Sequence, residues 1–167
     1  YAASNDVVFI STQTIFEPLI KIVDGEYVPW LATGYDIVDD TTIQFTLRDD
    51  VYFHDGTQMT AADVLFSMGL AQASNFTSTI FGALDMENST AIDDFTVEFK
   101  LQYPFAPIMQ AFSCHRGAIL SKTAYESMGA DAFGRAPVGT GPMMFSEWVA
   151  GDRIELTKYD GYRGQET

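Results

Sequence analysis

The chain has 167 residues, of which 47% are hydrophobic and 14% aromatic, so it is long enough to bury a core of its own. With 9 Lys and Arg against 23 Asp and Glu, the formal net charge is −14, which argues against nucleic acid or an anionic membrane surface as a partner. The single cysteine, Cys114, excludes an internal disulfide, and no apolar run is long enough to span a bilayer.

The first half of the chain predicts short strands, turns and one strong helix. Apolar spacing indicates a strand over residues 7–10 and a short helix over residues 14–20. The dipeptide at 24–25 is a turn signal. Two hairpins of similar design follow, each with a two-aspartate turn, at residues 39–41 and 93–94. Their alternating apolar residues predict strands with one buried face.

The best helix runs over residues 60–72, because Thr60 is a good N-cap and Asp63 stands where a capping box places its acid. Further along, the pattern predicts short helices over residues 105–112 and 121–128, with a short strand over residues 117–120 between them. A rigid glycine-rich turn at residues 138–142 then leads into a final hairpin over residues 143–159. This mixture of strands and helices indicates an α+β (mixed α/β) fold.

His54 and Asp55 lie close to Asp49 and Asp50, which raises the question of a metal or catalytic site. A metal site needs three or four converging ligands, whereas the chain has only two histidines and they are far apart. The Asp55-Gly56 dipeptide is a strong turn signal. We therefore interpret this cluster as the corner between a strand and the Thr60 helix.

Other chemical motifs give no better case for an enzyme. The Gly139-Thr140-Gly141 segment has neither the lysine of a P-loop nor the spacing of a dinucleotide fingerprint. Cys114 and His115 are adjacent, and neighbouring side chains on an extended segment point to opposite faces. We expect a protein without enzymatic activity and without a cofactor.

The order of the motifs resembles that of the extracellular solute-binding proteins of family 5, the peptide- and nickel-binding proteins of ABC importers. The residues that carry this resemblance are FEPL (16–19), PWLA (29–32), FTLR (45–48), FHDG (53–56), TAADVLFS (60–67), ILSK (119–122), GTGP (139–142) and YDGYRG (159–164). Family members are several times longer and have two lobes that close on a ligand. The chain matches only their N-terminal part.

The resemblance implies the N-terminal lobe portion of a type II-like periplasmic binding protein fold. Residues 1–28 would be the edge of the main domain of the first lobe, residues 29–138 its small extra domain, and residues 139–167 the return into the main domain. The second lobe would be absent from this chain. Without that lobe, a ligand would lose much of its burial.

The resemblance also places the ligand cleft beside two segments. The first contains Gln13, Thr14 and Phe16, and the second contains His115, Arg116 and Gly117, with Phe81 near a further such position. Each residue has a plainer interpretation: Phe16 as core, Arg116 as an exposed cation paired with a carboxylate, His115 as polar surface. Arginine suits a peptide C-terminus or the carboxylate of a chelator.

The function implied is the substrate-binding component of an ABC importer, which captures oligopeptides or a nickel or other metal complex and delivers it to the permease. The alternative is a standalone ligand- or peptide-sensing interaction domain without transport. The partners expected are that ligand and the ABC permease subunits, and not nucleic acid. The location expected is extracytoplasmic, periplasmic or on the cell surface, with a lipid anchor as one option. No signal sequence is recognisable at Tyr1.

Overall fold

The computed structural model describes residues 13–75 and 77–163. The first hairpin pairs strands β1 (Ile20–Val23) and β2 (Glu26–Pro29). Its two-residue loop, Asp24-Gly25, has positive φ at both positions, 52° and 87°, as a type I′ turn requires. The turn predicted there is confirmed. The strand predicted over residues 7–10 lies outside the described residues.

The helix predicted over residues 14–20 is wrong. Of residues 13–20, only 13–15 are helical, and Pro18 then forms an isolated antiparallel bridge with Ala118 before β1 begins. Proline disfavours helical geometry in the residue before it, and two of the four residues of β1 are isoleucine, a strand former. These local preferences prevail over the helical spacing of the apolar residues.

The main sheet has four antiparallel strands in the order β3-β4-β6-β5. Its strands are β3 (Ala32–Asp39), β4 (Thr42–Leu47), β5 (Leu84–Asp93) and β6 (Thr96–Leu101). Both predicted hairpins are confirmed, and they join through β4 and β6. At each two-aspartate turn, the first carboxylate accepts a backbone N–H two residues on, at 2.8 Å. The aspartates therefore form Asx turns.

Helix α1 (Ala61–Ala73) packs against β5 and β6, and Thr60 is its N-cap, as predicted. The buried carboxylate of Asp63 accepts the Thr60 backbone N–H at 2.9 Å through one oxygen. Its other oxygen accepts the backbone N–H of Lys122 at 3.0 Å. One side chain thus fixes the start of α1 and the start of the helix that begins at Lys122, which are far apart in sequence.

The remaining helices are short. They are α2 (Ser78–Phe81), α3 (Ile108–Ser113), a 3₁₀ turn (His115–Gly117), α4 (Lys122–Met128) and α5 (Ala130–Phe133). Ser121 caps α4 as predicted, its hydroxyl accepting Ala124 N–H at 3.1 Å. The helix predicted from residue 105 begins three residues later, after Pro107. The strand predicted over residues 117–120 is reduced to the single bridge at Ala118.

The core lies between the main sheet and the helices. The rings of Phe45, Phe99 and Phe112 are fully buried, and Phe112 lies 5.0 Å from each of the other two between ring centroids. The last hairpin pairs β7 (Met143–Val149) with β8 (Arg153–Lys158) around the predicted turn. The described residues include no helix with the length and apolar character needed to cross a membrane.

Candidate functional site

Glu17 is the most densely bonded side chain of the region where the predicted ligand-facing segments lie. It is only 3% exposed. Its carboxylate accepts hydrogen bonds from Trp30 Nε1 at 2.7 Å, Thr140 Oγ1 at 2.9 Å and Tyr162 O–H at 3.0 Å. The guanidinium of Arg163 completes the set with two bonds of 2.8 and 3.1 Å. We call these five residues the Glu17 cluster.

Two cations, Arg163 and Lys21, lie near the buried charge of the Glu17 cluster. Arg163 is 13% exposed, so the pair is shielded from water. The ammonium of Lys21 lies 3.2 Å from the centroid of the Trp30 ring, and burial lowers the pKa of that lysine. Burial, reinforced by the Glu17 carboxylate, raises the pKa of Tyr162 to about 12. Tyr162 therefore stays neutral, and its hydroxyl donates a hydrogen bond to the Glu17 carboxylate.

A second set of contacts holds the glycine-rich turn in place. His54 Nε2 lies 2.9 Å from the carbonyl oxygen of Gly141, and Gly139 N–H donates to His54 Nδ1 at 3.3 Å. The backbone N–H of His54 also donates to Gly139 O at 2.9 Å. A carbonyl can only accept and an amide N–H can only donate, so the ring carries its proton on Nε2.

The glycine-rich turn also lies directly against the backbone of the segment before Glu17. Gly141 N–H donates to Ile15 O at 2.8 Å. A Cβ at Gly139 would lie 2.1 Å from Ile15 O, and one at Gly141 would lie 2.2 Å from Thr14 O. Only glycine permits an approach this close between two backbones.

Asp55 has a local role that accounts for its place beside His54. Its carboxylate accepts both the backbone N–H and the hydroxyl of Thr57, at 2.9 and 2.6 Å. The segment therefore forms the strand-to-helix corner expected from the sequence. Among residues 13–75 and 77–163, no three His, Cys, Asp or Glu side chains are grouped so that they could hold a metal ion.

The first predicted ligand-facing segment offers accessible side chains. Gln13 is exposed, and Thr14 and Phe16 are half-buried. The ring of Phe16 stacks on Phe133 of α5, with centroids 6.3 Å apart and planes inclined by 28°. Phe16 thus has a packing partner and stays only half-buried.

The second predicted segment forms the 3₁₀ turn after α3. Arg116 is exposed and His115 half-buried, with burial lowering the pKa of the imidazole. Gly117 is buried and closely packed. A Cβ there would lie 2.5 Å from Ala111 O and 3.2 Å from the ring of Phe81. Phe81 itself is 0% exposed, so its ring supports this turn from below and offers no surface to a ligand.

The bridge between Pro18 and Ala118 connects the two segments, and Ile119 N–H strengthens it by donating to Glu17 O at 2.9 Å. The pairing is antiparallel, so residues 13–16 and 115–117 extend from the bridge in opposite directions. The structure therefore places both segments next to the same bridge, on opposite sides of it along the chain direction, and does not bring their side chains together at one point.

Sequence reasoning missed the Glu17 cluster, although all five of its members stand in motifs that carried the family resemblance, Tyr162 and Arg163 in the same one. FEPL contains Glu17, PWLA contains Trp30, GTGP contains Thr140 and YDGYRG contains Arg163. The available signal was a lone acid before proline within an otherwise apolar run. That signal does not name its partners, which lie 13 to 146 residues away.

The structure also argues against a catalytic pair of Cys114 and His115, because the Cys114 thiol has a backbone partner. This thiol donates to Ala111 O at 3.3 Å. The backbone at Cys114 is extended, whereas His115 begins the 3₁₀ turn.

Comparison with known proteins gives consistent matches. The sequence profile described as bacterial extracellular solute-binding proteins, family 5 middle, matches residues 26–167. The glutathione-binding protein GsiB of Pectobacterium atrosepticum is 33% identical over 143 residues, covering 83% of this chain and 27% of that protein. The chain therefore spans about a quarter of the length of the curated relatives it matches.

Two solved structures share the fold over most of the chain. The periplasmic binding protein DppA from Helicobacter pylori, in complex with the peptide STSA, superposes with a TM-score of 0.80 at 28% identity, over 97% of this chain and 36% of that one. NikZ from Campylobacter jejuni, in complex with Ni(L-His), gives a TM-score of 0.79 at 27% identity, over 89% of this chain and 31% of that one.

Proposed function

Because the chain belongs to family 5 of the bacterial extracellular solute-binding proteins, we propose that it is part of the substrate-binding component of an ABC importer. That component captures a short peptide or a nickel or other metal complex outside the membrane and delivers it to the permease. The observation that carries this proposal is the match of the family profile over residues 26–167. Relatives that bind glutathione, a peptide or Ni(L-His) support both ligand classes.

Within this proposal, residues 29–138 form the small extra domain of the first lobe, between the edge segment 1–28 and the returning segment 139–167. The contacts of the Glu17 cluster support that division, because Glu17 binds both Thr140 and Arg163. Residue 17 of the edge segment is thereby bonded directly to residues 140 and 163 of the returning segment.

The ligand-facing residues we propose are Gln13, Thr14, Phe16, His115 and Arg116, with Gly117 as the close backbone approach. These segments extend in opposite directions from the Pro18–Ala118 bridge. A ligand that touches both must itself be extended, which suits a short peptide or a chelate with carboxylate arms. Exposed Arg116 is the group suited to a carboxylate of such a ligand.

Isothermal titration calorimetry on the full-length natural protein tests this function. The ligands are glutathione, the peptide Ser-Thr-Ser-Ala and Ni(L-His). We expect one of the three to bind in the range typical of transport receptors, with deletion of the gene abolishing its uptake by cells. Binding of none of them, or binding without any loss of uptake in the deletion strain, would favour the sensing domain over the transport receptor.

The Arg116→Ala variant tests the site. Loss of a charge-assisted hydrogen bond lowers affinity by about tenfold to a hundredfold. Arg153→Ala is the matched control, because Arg153 is an exposed arginine at the β7–β8 hairpin, where it pairs only with exposed carboxylates. Equal affinity of the two variants for the bound ligand would remove Arg116 from the site.

A further inference from the structure

We propose that His54 is a positioning residue that holds the Gly139–Gly141 turn against residues 14–16 and thereby sets the affinity of the ligand-facing segment. This inference rests on the proposed function and adds a role for a residue that itself lies outside the ligand-facing set. Its premise is geometric: one imidazole ring contacts both ends of the turn, and the turn contacts the backbone of Thr14 and Ile15.

The first step is the match between ring and turn. The two ring nitrogens meet groups of opposite character, a carbonyl oxygen 2.9 Å from Nε2 and an amide N–H 3.3 Å from Nδ1. A neutral imidazole protonated on Nε2 satisfies both groups at once. A charged imidazolium would direct an N–H at the amide of Gly139, so the second bond would be lost.

The second step is the link from the turn to the ligand-facing segment. Gly141 lies between His54 and Ile15, since its carbonyl faces the ring and its N–H donates to Ile15 O at 2.8 Å. The approach is too close for any side chain at Gly139 or Gly141. Movement of the turn therefore moves the backbone that precedes Phe16, a neighbour of the buried Glu17.

The groups around His54 set the direction of its response to pH. The carboxylate of Asp55 follows it in sequence, the ring of Tyr159 lies 5.0 Å away between centroids, and the carboxylate of Glu17 acts on the imidazole through its charge. Burial lowers the pKa of His54 from its ordinary 6.5, and the bond to Gly141 and the two carboxylates oppose this only in part. The closed turn thus binds a proton less readily than the open turn, so acidification below pH 6.5 progressively weakens the closed turn.

The experiment measures hydrogen exchange at single amides in the full-length protein. The reporter is Gly141 N–H, which is bonded to Ile15 O. In His54→Ala we expect this amide to exchange about tenfold or more faster, for the loss of two hydrogen bonds. His54→Gln keeps a donor for Gly141 O, and His54→Asn keeps an acceptor for Gly139 N–H. Each should restore part of the protection, and neither should show the acid-dependent loss of protection that we expect in the wild type.

Val97→Ala is the matched control, because Val97 is fully buried in the four-stranded sheet away from the turn. It lowers overall stability but should leave the exchange of Gly141 N–H by local opening unchanged. Calorimetry with glutathione, and with Ser-Thr-Ser-Ala as a second probe, gives the affinity. We expect His54→Ala to weaken binding severalfold, with recovery in the glutamine variant.

Three results separate this inference from the proposed function. Unchanged Gly141 exchange in His54→Ala overturns the positioning role. Faster exchange with unaltered affinity also overturns it, because the turn would then have no effect on the ligand. If the wild type binds neither probe while His54→Ala still frees the turn, the proposed peptide ligand fails and the contact between His54 and the turn stands.

Discussion

The carboxylate of Glu17 joins parts of the chain that are far apart in sequence, through bonds to Trp30, Thr140, Tyr162 and Arg163. A buried carboxylate with this many donors is stable only as long as all partners are present. Removing one member leaves the others desolvated without a partner, and such a loss exceeds the net value of the pair.

Glu17→Ala should therefore destabilise the protein by about 3–5 kcal/mol, because it strands the Arg163 guanidinium and three neutral donors. Equilibrium urea unfolding measures the loss. Arg153→Ala is the control, since Arg153 makes three ion pairs that are all half exposed to water. Its midpoint should stay that of the wild type. A midpoint for Glu17→Ala equal to that of Arg153→Ala would contradict the prediction.

Tyr162 should titrate late. Burial first, and the Glu17 carboxylate second, raise its pKa to about 12 from an ordinary 10. The folded protein then holds the phenolic proton more firmly than the unfolded chain, so this contribution to stability is complete below pH 10 and is lost as pH rises towards about 12. Burial also raises the pKa of Tyr159, so the late tyrosinate absorbance should be reduced in Tyr162→Phe by the share of one tyrosine. Late absorbance that is not reduced in the variant would refute the assignment.

At the scale of elements, local signals were sufficient where one short stretch determines the structure. Thr60 and Asp63 predicted the start of α1, and the two-aspartate turns predicted both hairpins. The helix predicted over residues 14–20 failed, because Pro18 and the isoleucines of β1 favour an extended backbone there. Periodicity alone does not distinguish a short helix from a bridge followed by a strand.

The site could be predicted only as segments. The resemblance to family 5 indicated residues 13–16 and 115–117, and the structure shows both next to the Pro18–Ala118 bridge. The support beneath them could not be read from the sequence, because His54 meets Gly141 across 87 residues. Phe81 was predicted at the ligand, yet its ring is fully buried under Gly117.

Two glycines that differ in surroundings give opposite expectations. Gly141→Ala places a Cβ 2.2 Å from Thr14 O, so a backbone must move and the free energy of unfolding should fall by about 1–3 kcal/mol. A Cβ at Gly69 in α1 would meet nothing within 4 Å, so Gly69→Ala should raise the free energy of unfolding by about 0.5–1 kcal/mol. Thermal unfolding of both variants tests this. A melting temperature that rises in Gly141→Ala would show that the two backbones separate at no cost.

The whole molecule exposes apolar side chains at its periphery. Trp148 of β7 is 46% exposed, and the β7–β8 hairpin has only two strands, which rarely stand alone in water. The family relatives are about four times longer than the segment matched here, since it covers 27% of the first of them. An exposed apolar surface of this kind favours association.

The 167-residue chain produced by itself should therefore self-associate in sedimentation velocity, and Trp148→Gln should reduce that association. Tyr103→Gln is the matched control, an aromatic side chain 52% exposed in the loop after β6. Equal association of the two variants would place the contact surface elsewhere than on the hairpin.

The bond between Glu17 and Arg163 also has a consequence for the order of folding. It closes a loop of 146 residues, nearly the whole chain, and the entropy of closing so long a loop must be overcome before the bond contributes. The ion pair should therefore form after the transition state, once the four-stranded sheet is in place. Substitutions at Glu17 should then accelerate unfolding and leave the refolding rate nearly unchanged. The Glu17 cluster would thus govern how long the native state lasts, while the two Asx-turn hairpins govern how quickly it is reached.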